Sequence, residues 1–518
     1  MINNRNGGSI GSFAQVACNI TGNLTIQGNA VIGTSNRSDG LGGGTTGTDA
    51  TVNVHANSIS VVGEFDSFVS ANAGGRIGNL GLLLLSVPGD VHSGSGTSLL
   101  VQSTGFNAPG GPFIAPGFIG SDALLNVTAA NLTSDRFIDA EIDEGRGQIA
   151  GNASLNLIIA GAISSADTEF LVGGLGGQIG GNVSMIVNAG SISGSTTGPF
   201  FQIINADGGR IGGSAAMDVT ATNLSGDSLF VAILNSVNDG GATGTIGSNA
   251  AINFNVSGTS TVKNATFQIN GSDSVAGSAA ININGGTYNV MGGTFEGFMD
   301  GKGTFTLKDA TIAAETVKVG VFGSNGTLRI GGGSISANTL LHLYAPGSNG
   351  IVDFVSDVML NSSGSVPVIA AKTVTIETGV TVTILGSTPA NVYATNANYT
   401  GSGGNGSTRG TFGGPGATTQ PFGGQPPFDS PTTARAATKQ GKSVVSGGGR
   451  GAAFRVSDSS QLASLLDNAA PSPNGKVLSP HGRSRNQSMQ GGTRTTPAEL
   501  HRSVDAKARS RVLASRFQ

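Results

Sequence analysis

The sequence predicts an all-β chain wound as a right-handed parallel β-helix, a solenoid of roughly 13 coils, and three observations carry that expectation. The first is composition: of 518 residues, 86 are Gly, 11% are charged, 5% are aromatic and none is Trp. Gly costs roughly 1 kcal/mol relative to Ala inside a helix, so this abundance excludes a conventional helical or doubly wound core. Collagen is excluded because Gly is not at every third position, and uniform disorder because Ile, Val, Leu and Phe recur throughout. The second observation is a repeated phrase, and the third is a fixed apolar register behind each copy of it.

The phrase is clearest at Gly74-Gly75-Arg76-Ile77-Gly78, Gly176-Gly177-Gln178-Ile179-Gly180 and Gly208-Gly209-Arg210-Ile211-Gly212. With the Ile149 copy and weaker ones at Ile10, Thr46, Ile119, Ile246 and Val275, the anchors lie 36, 31, 42, 30, 30, 32, 35 and 29 residues apart. Six and eight residues after every anchor stands an apolar pair: Val16/Cys18, Val52/Val54, Leu83/Leu85, Leu125/Val127, Leu155/Leu157, Met185/Val187, Met217/Val219, Ile252/Phe254 and Ile281/Ile283. The residue between is usually polar, as at Asn53, Asn126, Asn156, Asp218, Asn253 and Asn282. That alternation is the signature of a strand with one buried face.

The other strands of each coil follow in order. Ile59, Leu132, Ile192 and Leu224 sit thirteen after their anchors, and aromatics come further on, at Phe65, Phe137, Phe170, Phe200, Phe230 and Phe267. Each copy therefore holds about three short strands separated by Gly, Asn, Ser or Asp corners. A lone unit of this kind cannot bury its apolar face, whereas stacked units can. After residue 286 the rhythm tightens: the starts at Gly303, Gly326 and Gly350 are 23 and 24 residues apart, which leaves little beyond three strands and their turns. With about 4.8 Å between coils the rod is on the order of 60 Å long.

Residues 1–396 form the expected repeat domain. Residues 397–431, dominated by Gly, Thr, Asn and Pro, read as a flexible linker, and 432–518 as a basic, largely disordered tail with short helices at 461–467 and 497–517. The net charge of −3 conceals a division: residues 1–430 hold 13 Lys and Arg against 26 Asp and Glu, whereas 431–518 hold 14 against 4. The tail is expected to be a solvated arm or to bind an acidic polymer or surface.

Chemistry-bearing residues are sparse. Cys18 occupies a position filled in other coils by Val54, Leu85 and Val127, so it is expected to face inward as a core residue. The five His show no ligand spacing, and His55 follows an inward residue and should face solvent. The densest acidic group is Asp135, Asp139, Glu141, Asp143 and Glu144, weak candidates for a cation site or an acid/base pair. They lack the oxygen spacing of a calcium loop, and a solvated loop is the plainer expectation. Gly441-Lys442-Ser443 is no phosphate loop, because the required earlier Gly is Ala436. No catalytic residue, cofactor or nucleic-acid partner is expected, and no apolar run approaches the ~18 residues of a membrane-spanning helix.

The repeats over about residues 7–395, such as Gly176 to Ser193 and Gly208 to Ser225, resemble those of filamentous haemagglutinin-like and autotransporter-type bacterial surface adhesins. That resemblance implies a β-helical stalk, secretion to the cell surface at the outer membrane, and attachment to glycans or surface proteins. The family carries export signals, and the start Met1-Ile2-Asn3-Asn4-Arg5 resembles no signal peptide, so the expectation is a fragment of a larger exoprotein or a truncated reading frame. A carbohydrate-active β-helix, of polysaccharide lyase or glycoside hydrolase type, is the alternative; it would show carboxylates clustered on one face of neighbouring coils.

Overall fold

The computed structural model describes residues 1–428 except 6–7, 38–42, 73, 105, 108–112, 115, 236–242 and 402. The basic tail, with its two expected helices, lies outside the described residues. Within them the chain is a parallel β-helix: three long faces of parallel strands and a short ladder at one corner, with a single turn of 3-10 helix at Ser272–Ser274. The antiparallel exception is a small hairpin pairing Phe106–Asn107 with Phe113–Ile114.

The repeat phrase builds the corner ladder. Ile10, Thr46, Ile77, Ile119, Ile149, Ile179, Ile211 and Ile246 pair in unbroken register, and a bridge carries the column on to Val275. Gly predominates beside it because the coils approach closely: a Cβ built on Gly212 would fall onto the carbonyl oxygen of Gly180 unless the backbone shifted. In the same column Ala150 shows that one methyl can be accommodated.

From this corner each coil runs into the first sheet, where the apolar pairs stack. Val52, Leu83, Leu125, Leu155, Met185, Met217, Ile252 and Ile281 form one inward column, continued by Phe305, Leu328, Val352 and Val374. All of these are buried. The second sheet stacks Ile59, Val91, Leu132, Ile163, Ile192 and Leu224 in the same way. Counted along the first sheet, from Ala14–Asn19 to the pairing of Asn396 with Thr373, the rod has fourteen rungs.

Three features differ from the sequence expectation. Cys18 faces the core but is only half-buried, like Val16, Ile20, Leu24 and Ile26, because it lies in the first coil and has a neighbour on one side only. The aromatic series divides: Phe65, Phe170 and Phe267 join the core, whereas Phe200 and Phe230 point to the other side of their sheet and join a separate cluster. Finally, the helix does not stop at residue 396. Thr411–Gly413 pairs with the strand Thr381–Leu385, and Ala417–Pro421 with Ala390–Asn398, so the supposed linker adds a further partial coil. Its strands are too short to show alternation; an edge-to-face pair of Tyr399 and Phe412, 4.9 Å between centroids, packs them onto Phe354.

Outside the core, side-chain amides and carboxylates link coil to coil. Asp122 Oδ1 accepts the backbone N–H of Asn152 at 2.6 Å, Asn152 Oδ1 that of Asn182 at 2.8 Å, and Asn182 Oδ1 that of Ser214 at 2.9 Å. On the outward face of the first sheet Asn282 donates to Asn253 at 2.9 Å and Asn253 to Asp218 at 2.7 Å. The first of these ladders satisfies corner N–H groups that would otherwise depend on water, and the second pairs side chains across the sheet surface. The long anchor intervals of 36, 42 and 35 residues share one main cause, since most of their extra residues enter between the third sheet and the corner ladder, around 38–42, 105–115 and 236–242.

Candidate functional site

The third sheet departs from the one-sided pattern of the other two. Strand Val183–Gly194, which runs through the first and second sheets, alternates between buried and more accessible positions, whereas Glu64–Asn72, Asp167–Leu175, Phe200–Ala206 and Ser228–Leu234 are buried along almost their whole length on both faces. A strand covered on both sides needs side chains suited to burial in both directions. Here the outward side carries apolar groups in the middle of the rod and carboxylates towards its N-terminal end.

Register defines the outward columns. In one, Asp66, Ser98, Asp139 and Glu169 stack first, then Phe200 and Phe230, then Thr266, Glu296, Lys318 and His342. In the next, Phe68, Leu100, Glu141, Leu171 and Gln202 follow one another. Directly paired residues on neighbouring rungs lie about 4.8 Å apart, so the Asp139 and Glu169 side chains leave the sheet side by side. Glu169 is 2% exposed and Gln202, at 1%, donates to its Oε1 at 3.3 Å.

The acidic candidates from the sequence are thus partly brought together. Asp139, Glu141 and Asp143 alternate along Phe137–Asp143 and share the outward face, Glu144 is buried in the following corner, and Asp135 is exposed in the turn before the strand. The plainer expectation of a solvated loop is corrected for Glu141, Asp143 and Glu144, which are buried because the strand is covered on both sides. Asp66, Glu169 and Glu296 were not singled out by the sequence. The signal was present, since Asp66, Asp139 and Glu169 each stand twenty residues after an anchor, at Thr46, Ile119 and Ile149.

Burial sets the electrostatics of this face. Asp143 is pushed up to about 6 by desolvation, against which one hydrogen bond from the Gly145 N–H, at 2.8 Å, pulls down. Glu144 is raised well above the ordinary carboxylate range by desolvation and by the neighbouring Asp143 charge. Glu296 is pushed up to about 7 by burial, partly offset by Lys318 on the next rung. Near neutral pH these groups can hold protons, the property a general acid needs.

Other chemistry is thin. Among the described residues no group of three or more His, Cys, Asp and Glu side chains is placed to hold a metal ion. His55 is exposed, as the alternation requires, and His342 is buried in a stack on Tyr344, 5.0 Å between centroids. Arg76, which has no recurring acidic partner in the repeat, lies over the Phe118 ring on the next coil at 4.3 Å. Two shallow depressions open to solvent. One, about 270 Å³, is bounded by residues 158–160, 188–190, 220–222 and 257; the other, about 480 Å³, lies beside Arg210, Asp273 and Lys302. Neither contains a carboxylate pair, and no helix among the described residues is long and apolar enough to cross a membrane.

Fold and surface together define a parallel β-helical solenoid with one face suited to burial on both sides. Comparison with protein-family models, curated proteins and solved structures gives no significant match.

Proposed function

We propose that this chain is the stalk of a bacterial surface exoprotein of adhesive or structural type, a rod that attaches to glycans or proteins outside the cell. The observation that carries this reading is the uninterrupted parallel stack from Ile2 to Pro421, whose first and second sheets expose mainly Asn, Thr and Ser. Such a surface offers repeated amide and hydroxyl groups, the donors and acceptors that a sugar hydroxyl can use. Spaced at about 4.8 Å along the rod, they suit multivalent rather than single-site attachment. The style of the repeats supports the same assignment. A membrane-impermeant biotin ester applied to intact producing cells is expected to label the chain; labelling only after lysis would overturn the proposal.

The pairing of Asp139 with Glu169 on neighbouring rungs favours a second reading, a carbohydrate-active β-helix. Glu169 is buried, however, and a polysaccharide needs an open groove over its acid and base. The stalk reading predicts that purified protein releases no new reducing ends from neutral or acidic polysaccharides. Cleavage that is lost in the Asp139→Asn/Glu141→Gln variant would establish the enzyme instead.

A further inference from the structure

We propose that Glu144 is held as a neutral carboxylic acid that donates a hydrogen bond to the Gln178 carbonyl, filling a place that Asn or Ser takes in other coils and making that corner a pH-sensitive catch. Register defines the place. Where the third sheet turns towards the corner ladder, Asn4 pairs with Asn36, Ser103 stands opposite Glu144, one step beyond the pair Gln102 and Asp143, and Gly174 pairs with Asn205. Four of these side chains bond the same group, the carbonyl that precedes the anchor of the next coil. Asn4 Nδ2 donates to Thr45 at 2.8 Å, Asn36 Nδ2 to Arg76 at 2.8 Å, Ser103 Oγ to Gln148 at 2.9 Å and Asn205 Nδ2 to Thr245 at 2.9 Å. All four are buried, so these bonds stand in for water. Asn235, whose coil ends in the 3-10 turn, donates instead to Gly271 at 3.1 Å.

In this series the carbonyl that falls to Glu144 is that of Gln178, which precedes the anchor Ile179. The side chain is already placed beside it. In the other coils the Gly two before the anchor, Gly44, Gly75, Gly147 or Gly244, packs against the backbone of its column member; Gly177 packs against Glu144, and a Cβ built on it would lie 2.9 Å from Oε1. Glu144 is 1% exposed, and its Oε2 has no hydrogen-bond partner among the described residues. Asn and Ser carry a donor at this point, whereas an ionised carboxylate only accepts and would set its charge against a carbonyl oxygen. Protonation turns Oε2 into the donor. Ala71 and Gly174, in the same column, show that a coil can do without the bond, but neither buries a side-chain polar atom that needs one.

The surroundings favour the neutral form. Desolvation and the neighbouring Asp143 charge raise Glu144 well above the ordinary carboxylate range, against which the backbone N–H groups of Glu144 and Gly174 pull down. Arg146, in the turn after it, and Asp207, in the corner after Phe200–Ala206, flank Gly176. Asp167 and Glu169 lie at the far end of the strand Asp167–Leu175, and Ser103, Gln148 and Gln178 on the packed elements are neutral. In acid the catch is closed. As pH climbs from the ordinary carboxylate value towards the folded one, the open state releases its proton first, so opening grows until the closed state ionises too. This inference is independent of the adhesive reading.

The test uses the full chain. With 13C at the Glu side-chain carboxyls, whose bands then separate from those of Asp, the infrared spectrum at pH 6 is expected to show a protonated-carboxyl stretch that weakens in Glu144→Gln. An unchanged band would overturn the proposal, since Glu144 would then be ionised. Hydrogen exchange in peptides covering 144–151 and 176–180 reads the catch itself, in an Asp143→Asn background that removes the neighbouring titration. After correction for the intrinsic rate, protection should fall at least about tenfold between pH 5 and pH 8 with Glu144 present and stay level in Glu144→Gln. Glu144→Met has the length but no donor, and should be about three- to tenfold less protected than Glu144→Gln at either pH, the contribution of one buried hydrogen bond. Met and Gln variants protected alike would sink the idea, because burial alone would then account for the residue. So would a pH dependence that persists in Glu144→Gln.

Discussion

Replacing Asp143 by Asn and Glu144 by Gln is expected to stabilise the rod at pH 8 and to leave it unchanged near pH 4. Both carboxyls have folded-state values above their ordinary ones, Asp143 near 6 and Glu144 well above its usual range. As pH rises from about 4, the unfolded chain releases these protons before the folded one does, so stability is greatest in acid and falls as pH passes through the folded values. A two-unit displacement corresponds to about 3 kcal/mol for Asp143 alone. The amides remove that pH-dependent loss. They also keep the geometry, because the Asp143→Asn amide retains an oxygen that can accept the Gly145 N–H. Denaturant unfolding at pH 4, 6 and 8 measures the effect. A variant weaker than wild type at pH 8 would show instead that the two carboxylates are held ionised, as by a bound cation.

A second large effect is expected at Phe267. Its ring is fully buried and touches three others, Phe254 at 5.0 Å, Phe295 at 5.6 Å and Tyr288 at 6.3 Å between centroids. These four rings come from neighbouring coils, so the group ties the middle of the rod together across rungs. Phe267→Ala removes the ring and leaves a cavity that the stacked backbones cannot close, costing about 3–5 kcal/mol. In a solenoid each coil contacts only its neighbours, so the loss concentrates locally. Hydrogen exchange should accelerate in the strands Ala250–Val256, Asn264–Asn270 and Thr294–Met299 while distant coils keep their protection. Uniform acceleration along the rod would show that it opens as one unit.

Much of this architecture was legible in the sequence. The nine anchors form one ladder and the apolar pairs behind them form two columns, because a parallel stack converts a linear period directly into a contact. The last coil was not legible, since three- and five-residue strands between Gly corners carry too few side chains to display alternation. Nor was the two-sided character of the third sheet. Phe170 and Phe200 have the same composition signal but opposite orientation, and only the register of each strand separates them. The acidic face was half visible: clustering drew attention to Asp139 and Glu141, while Asp66 and Glu169, distant in sequence, became neighbours of that site only through coiling.

The concentration of extra residues at one corner gives the molecule the property of a graduated ruler. Anchors Thr46 and Ile119 are two rungs apart, about 10 Å, and Ile119 and Ile246 four rungs apart, about 19 Å. Peptides grafted into residues 38–42, 105–115 and 236–242 would therefore emerge along one edge at fixed separations, whatever their own length.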